Sequence, residues 1–97
     1  MRNGDIVKKA VEYLHTLESG TEISTCQVLS RVFGYSEDND GTHRVGERAL
    51  SLGGMFDLDL SIRKEAEKSG LLLDDSEDMD VGLPFYIPFT VKGKTGE

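Results

Sequence analysis

One cysteine, two histidines, two prolines and no long apolar run set the first limits on this chain of 97 residues. A single thiol, Cys26, excludes an intramolecular disulfide, and nothing argues for a secreted scaffold stapled by bridges. No stretch approaches the ~18 apolar residues of a membrane span. The N-terminal Met-Arg-Asn-Gly-Asp leads into an amphipathic pattern rather than an apolar core, so no signal peptide is expected and the expected location is cytoplasmic. Basic side chains are also scarce. Eleven Lys and Arg against 18 Asp and Glu give a formal net charge of −7, which opposes indiscriminate binding to nucleic acid or an anionic membrane. A local basic face remains compatible with that balance.

Catalytic and metal signatures are missing as well. There is no G-x-S-x-G elbow and no glycine-rich phosphate loop. Cys26, His15 and His43 have no metal-site spacing. Cys26 falls in the first turn of a helical pattern, where the dipole favours a thiolate, but a small buried side chain is the preferred role. Carboxylates cluster only in loop-like segments. The expectation is therefore a protein that is not an enzyme and carries no cofactor. No repeat or low-complexity segment is visible.

What is present is one small α+β domain, expected over residues 1–92 with a flexible tail at 93–97. Residues 4–19 predict a helix: Ile6, Val7, Ala10, Val11, Leu14 and Leu17 form one stripe, with Asn3 a candidate N-cap. Ser24 and Gln27 make a capping box for a second helix, with Ile23 and Val28 as its hydrophobic staple and Gly34 at its end. Glu22 and Ile23 read as a minimal strand before it. Residues 35–42 read as an acidic turn. Val45, Ala49, Leu52 and Phe56 predict a third helix over 43–52, broken by Gly53-Gly54. A fourth follows from Asp57 or Asp59 to Ser69. Leu71 to Leu73 predict a short buried strand. Phe85, Ile87, Phe89 and Val91 alternate with Tyr86, Pro88, Thr90 and Lys92, the period of a half-buried strand. Pro84 and Pro88 place that strand at an edge or a bulge. The expected architecture is thus three to four helices with a C-terminal β-hairpin. Its core is expected to include Val7, Val11, Leu14, Val28, Leu29, Val32, Leu52, Ile62, Leu72, Phe85 and Ile87. The acidic segment 74–83 between the strands is expected to be exposed and mobile.

The order of these patterns, with Ile23-Ser-Thr entering the second helix and Ile62-Arg-Lys-Glu-Ala-Glu-Lys-Ser-Gly-Leu-Leu-Leu-Asp running into a strand, resembles the winged helix-turn-helix family. The resemblance is architectural and rests on no residue signature. It departs in two places: two helical pieces stand where the family has one groove-reading helix, and the segment 74–83 is acidic where the family's wing often carries basic residues. The resemblance implies double-stranded DNA as a partner, transcription regulation as a role, and pairing of two copies on a palindromic site. The groove-reading residues would be Arg44 and Arg48 on one piece, with His43 beside them, and Arg63, Lys64 and Lys68 on the other. The alternative is an acidic protein-interaction module or accessory subunit that meets a basic protein partner. Its supports are the net charge and a strand edge open to a partner strand. Ordinary solvated helix charges account for the same letters.

One further pattern bears on metals. Counted from Ser36, Asp38, Asp40, Gly41 and Glu47 fall at positions 3, 5, 6 and 12 of an EF-hand loop. Ser36 stands where a charged ligand is usual, and a solvated Asp/Asn/Gly turn explains the same residues.

Overall fold

The computed structural model describes residues 2–75 and 83–94. Among them are three α-helices and two antiparallel three-stranded sheets. The chain runs α1 (Asn3–His15), β1 (Glu22–Ile23), α2 (Thr25–Val32), β2 (Tyr35–Glu37), β3 (His43–Val45), β4 (Arg48–Leu50), α3 (Leu52–Lys68), β5 (Leu71–Asp75), a 3-10 turn (Pro84–Tyr86) and β6 (Phe89–Lys94).

The amphipathic stripe of α1 buries Ile6, Val7, Ala10, Val11 and Leu14. The helix starts one residue before the expected range and stops a turn early. Arg2, not Asn3, is at the N-cap and makes no side-chain bond there. At the other end the Thr16 hydroxyl donates to the Tyr13 carbonyl at 2.6 Å, competing for the acceptor that a continuing helix would use.

The capping box of α2 forms as the sequence predicts: Gln27 N–H donates to Ser24 Oγ at 3.2 Å, and Ser24 N–H to Gln27 Oε1 at 2.9 Å. These two bonds satisfy donors that the first turn leaves without partners. Replacing Ser24 with Ala is expected to cost ~1 kcal/mol in denaturant unfolding. A change below ~0.3 kcal/mol would mean that solvent replaces the cap fully.

The expected third helix is replaced by a meander. β2, β3 and β4 pair antiparallel, with Glu37 opposite His43 and Arg44 opposite Ala49. His43 and Val45 are buried and Arg44 between them is exposed, a period of two. Gly46 sits in the β3–β4 turn at φ 59°, where a side chain would be strained, and its N–H donates to the Gly34 carbonyl at 2.9 Å.

Gly53-Gly54 does not break a helix; it lies in the first turn of α3. Ser51 Oγ accepts the Gly54 N–H at 3.2 Å, so the N-cap is Ser51 rather than Asp57 or Asp59. A Cβ on Gly54 would meet the Leu50 side chain at 3.4 Å, an ordinary contact. One helix from Leu52 to Lys68 thus replaces the two expected pieces.

The last strand meets one of its two expected alternatives: β6 is the centre of its sheet, in the order β1–β6–β5, rather than an edge, and it carries a bulge at Lys92, the extra residue between the pairs Leu72–Gly93 and Leu73–Val91. Pro84 begins the 3-10 turn and Pro88 precedes the strand, so neither has to donate to the ladder. The pairing runs Ile23 with Phe89 and Leu73 with Val91, with the bulge between Leu72 and Leu73.

Of the expected core, Val7, Val11, Leu14, Val28, Leu29, Ile62 and Phe85 are buried, and Val32 and Ile87 are half-buried. Leu52 and Leu72 are not in it: they are 46% and 45% exposed. Leu52 stands on the solvent side of the first turn of α3, and Leu72 points away from its buried neighbour Leu71, as strand alternation requires. Of the acidic segment 74–83, Asp74 and Asp75 belong to β5, and residues 76–82 lie outside the described residues. No described helix is long and apolar enough to cross a membrane.

Candidate functional site

A buried carboxylate joins the helices. Asp59, 2% exposed, accepts the Thr25 hydroxyl at 2.5 Å from the first turn of α2. One turn along α3, Arg63 Nε donates to both Asp59 oxygens at 3.2 and 3.1 Å. Its Nη2 reaches the Pro84 carbonyl at 3.4 Å, and the guanidinium lies 4.9 Å from the centre of the Phe89 ring. Arg63 thus connects α3 to the turn and to β6. Its hydrogen bonds and its place over an aromatic face are those of a structural cation.

The remaining candidate cations fall into two groups. Arg44 is on β3, exposed, and donates to Asp38 Oδ2 at 2.7 Å; Arg48 is on β4. They therefore sit on strands, not one turn apart on a helix. Lys64 and Lys68 are exposed on α3. They line a groove between α1 and α3 of about 790 Å³, with Lys8 and His15 of α1 and with Glu12 and Glu65 in the same walls. His15 Nε2 and Ser69 Oγ close one end of it at 2.7 Å. The five candidates are thus not drawn into one basic face: Arg63 is turned inward onto Asp59, Arg44 is paired with Asp38, Arg48 is on the neighbouring strand β4, and Lys64 and Lys68 share a groove of mixed sign.

The acidic turn is a hairpin and not a loop between helices. Asp38 N–H donates to the Thr42 carbonyl at 2.8 Å and Gly41 N–H to the Asp38 carbonyl at 3.0 Å. Asp40 is held below the usual carboxylate range, first by the Thr42 backbone N–H and then by the Thr42 hydroxyl. Asp38 is occupied by Arg44, and Glu47 lies beyond β3 in the next turn. The EF-hand count therefore joins residues of two different turns. Among the described residues no group of three or more His, Cys, Asp or Glu is placed to hold a metal.

The outward side of α3 carries a different feature. Leu52, Phe56 and Leu60 recur every four residues, which is one line along a helix. Leu60 is 54% exposed, and Phe56 is half-buried with its edge on Phe85. Asp57, Ser61, Lys64, Glu67 and Lys68 flank this line, all exposed.

Two sets of residues were missed by sequence reasoning. Asp59 was read as a helix cap, although its four-residue spacing from Arg63 was a readable ion-pair signal. Tyr35, His43 and Tyr86 form a buried-to-surface cluster with Glu37, and no spacing announces it because its members come from three separate elements. Cys26 belongs to the same region; burial pushes its thiol up to about 11, so it is a neutral, unreactive group at ordinary pH. Comparison with known proteins gives no match to a family model, a curated protein or a solved structure.

Proposed function

We propose that this chain is a protein-interaction module on a winged-helix-like frame, and that its contact face is the outward line of α3. The frame is supported by the order α1, β1, α2, α3 and by the way α3 passes through Ser69-Gly70 straight into β5, which pairs antiparallel with β6. With α3 a single helix, one departure from that frame falls away, and the β2–β3–β4 meander becomes an insertion before α3.

The observation that carries the functional reading is the state of the cations. Arg44 is engaged by Asp38 and Arg63 by Asp59, so two of the three candidate arginines already have carboxylate partners. What α3 offers to solvent is Leu52 and Leu60 with charges of both signs around them. Such a surface matches an apolar ridge on a partner better than a row of phosphates, and the net charge of −7 favours a partner with a basic surround. Placing a photo-reactive residue at position 52, 60 or, as an exposed control, 18 in the native host tests this. Crosslinks to one protein are expected from 52 and 60 and not from 18. Nucleic-acid adducts from 60, or the same products from all three positions, would overturn it.

Double-stranded DNA is the second reading. It is favoured by Lys64 and Lys68 on the solvent side of α3 and by Lys8 across the groove.

A further inference from the structure

Four side chains near the second sheet form a continuous chain of hydrogen bonds. Tyr86 hydroxyl donates to Glu37 Oε2 at 3.0 Å. The Tyr86 and Tyr35 hydroxyls are 2.8 Å apart, and the Tyr35 hydroxyl is 2.6 Å from His43 Nδ1. Glu37 and Tyr86 are exposed, Tyr35 is half-buried and His43 is 3% exposed, so the chain leads from solvent to the interior.

Counting protons gives the chain a direction. An ionised carboxylate only accepts, and each hydroxyl has one proton. Tyr86 spends its proton on Glu37, so its oxygen must accept from Tyr35. Tyr35 then has no proton left for the imidazole, so it must accept one from Nδ1. The acidities follow the same order. Burial first, and then donation to Tyr86, hold the Tyr35 hydroxyl far above its usual range. For Tyr86 burial again raises the value, the proton from Tyr35 lowers it and the bond to Glu37 raises it. The Cys26 thiol beside Tyr35 is neutral and a weak acceptor, so it does not draw the proton away.

We infer that Glu37, Tyr86, Tyr35 and His43 form a one-way hydrogen-bonded relay that holds buried His43 as the Nδ1–H tautomer and clasps the β2–β3–β4 sheet to the turn before β6. The clasp crosses three elements: Tyr35 and Glu37 come from β2, His43 from β3 directly opposite Glu37, and Tyr86 from the 3-10 turn. Ring contacts support it, with Tyr35 stacked on His43 at 6.0 Å and Phe85 edge-on to His43 at 5.8 Å. The acceptor oxygen at position 37 on the surface therefore decides which nitrogen of an interior imidazole bears the proton.

Long-range proton–nitrogen correlation spectra of the full chain test this near pH 8, well above the ordinary imidazole range. The histidine signals are separated by His15→Gln. His43 is expected to show a protonated Nδ1 and an unprotonated Nε2. In Tyr86→Phe the Tyr35 proton is released, and Nδ1 at 2.6 Å is a stronger acceptor than the neighbouring Cys26 thiol, so the two nitrogens should exchange types. In Glu37→Gln the amide oxygen still accepts from Tyr86, and the original tautomer should persist. Protonated Nε2 in the unmodified protein would overturn the relay without need of any variant. An unchanged tautomer in folded Tyr86→Phe would overturn it as well.

Discussion

Replacing Asp59 with Ala should destabilise the domain by ~3–5 kcal/mol, the usual consequence of removing one partner from a buried pair. Two groups lose their acceptor or counter-charge at once. The Thr25 hydroxyl, 0% exposed by residue, loses its 2.5 Å acceptor. The Arg63 guanidinium, 14% exposed, keeps its charge beside Phe89 without the carboxylate that balances it. The hold of α2 on α3 is lost with them. A small domain has only ~5–15 kcal/mol in total, so this single change consumes much of it. A fall in Tm of more than ~10 °C is expected at this size. The control is the double change Asp59→Leu with Arg63→Met. Removing both charges together should cost much less than the sum of the single changes, because most of the single-site cost is the stranded partner. A loss below ~1 kcal/mol for Asp59→Ala would show that the pair is solvated and that α2 and α3 are held by packing alone.

Phe85→Ala is expected to be about as damaging, at ~3–5 kcal/mol. Phe85 is 0% exposed and meets Phe56 of α3 at 5.3 Å, His43 of β3 at 5.8 Å and Tyr86 at 4.9 Å between ring centres. Its ring thus meets an aromatic ring of the long helix and one of the β2–β3–β4 sheet. Truncation leaves a cavity that three separate elements would have to close, and close-packed interiors relax only in part. Denaturant unfolding measures the loss. A value below ~1.5 kcal/mol would mean that the junction collapses around the missing ring and that the sheet is docked by other contacts.

The fold was legible where periodicity and local chemistry agreed. The stripe of α1 and the Ser24–Gln27 capping box are both local, and both form. The reading failed where one apolar pattern admitted two periods. Val45, Ala49 and Leu52 fit a helical spacing, but Gly46 interrupts it, and His43, Arg44 and Val45 alternate as a strand does. Gly53-Gly54 signalled a break because the propensity penalty was counted without position. At the first turn, with the Ser51 side chain accepting the Gly54 N–H, the same glycines are accommodated within the helix. Pro84 and Pro88 pointed to an edge or a bulge; β6 is central and does carry a bulge, but at Lys92, because both prolines precede the strand.

The candidate cations were legible as residues but not as a surface. Sequence spacing showed Arg63 and Lys64 as neighbours, and one position of helical rotation separates an inward ion pair from a solvent-facing amine. Arg44 was assigned to a helix face because the strand was not seen, and its partner Asp38 comes from across the hairpin. The relay of Glu37, Tyr86, Tyr35 and His43 spans residues about fifty apart in sequence, which only the tertiary fold brings together.

The central claim is that α3 presents a surface for a protein and not for phosphates. Titration of the purified domain with random duplex DNA tests it most directly. At about 50 mM salt and about 100 μM protein even non-specific phosphate contacts register, and they weaken steeply as salt rises. The account predicts no binding under those conditions. A binding curve that shifts to weaker affinity with added salt, and that is abolished by Lys64→Glu with Lys68→Glu, would contradict it and establish the DNA reading in its place.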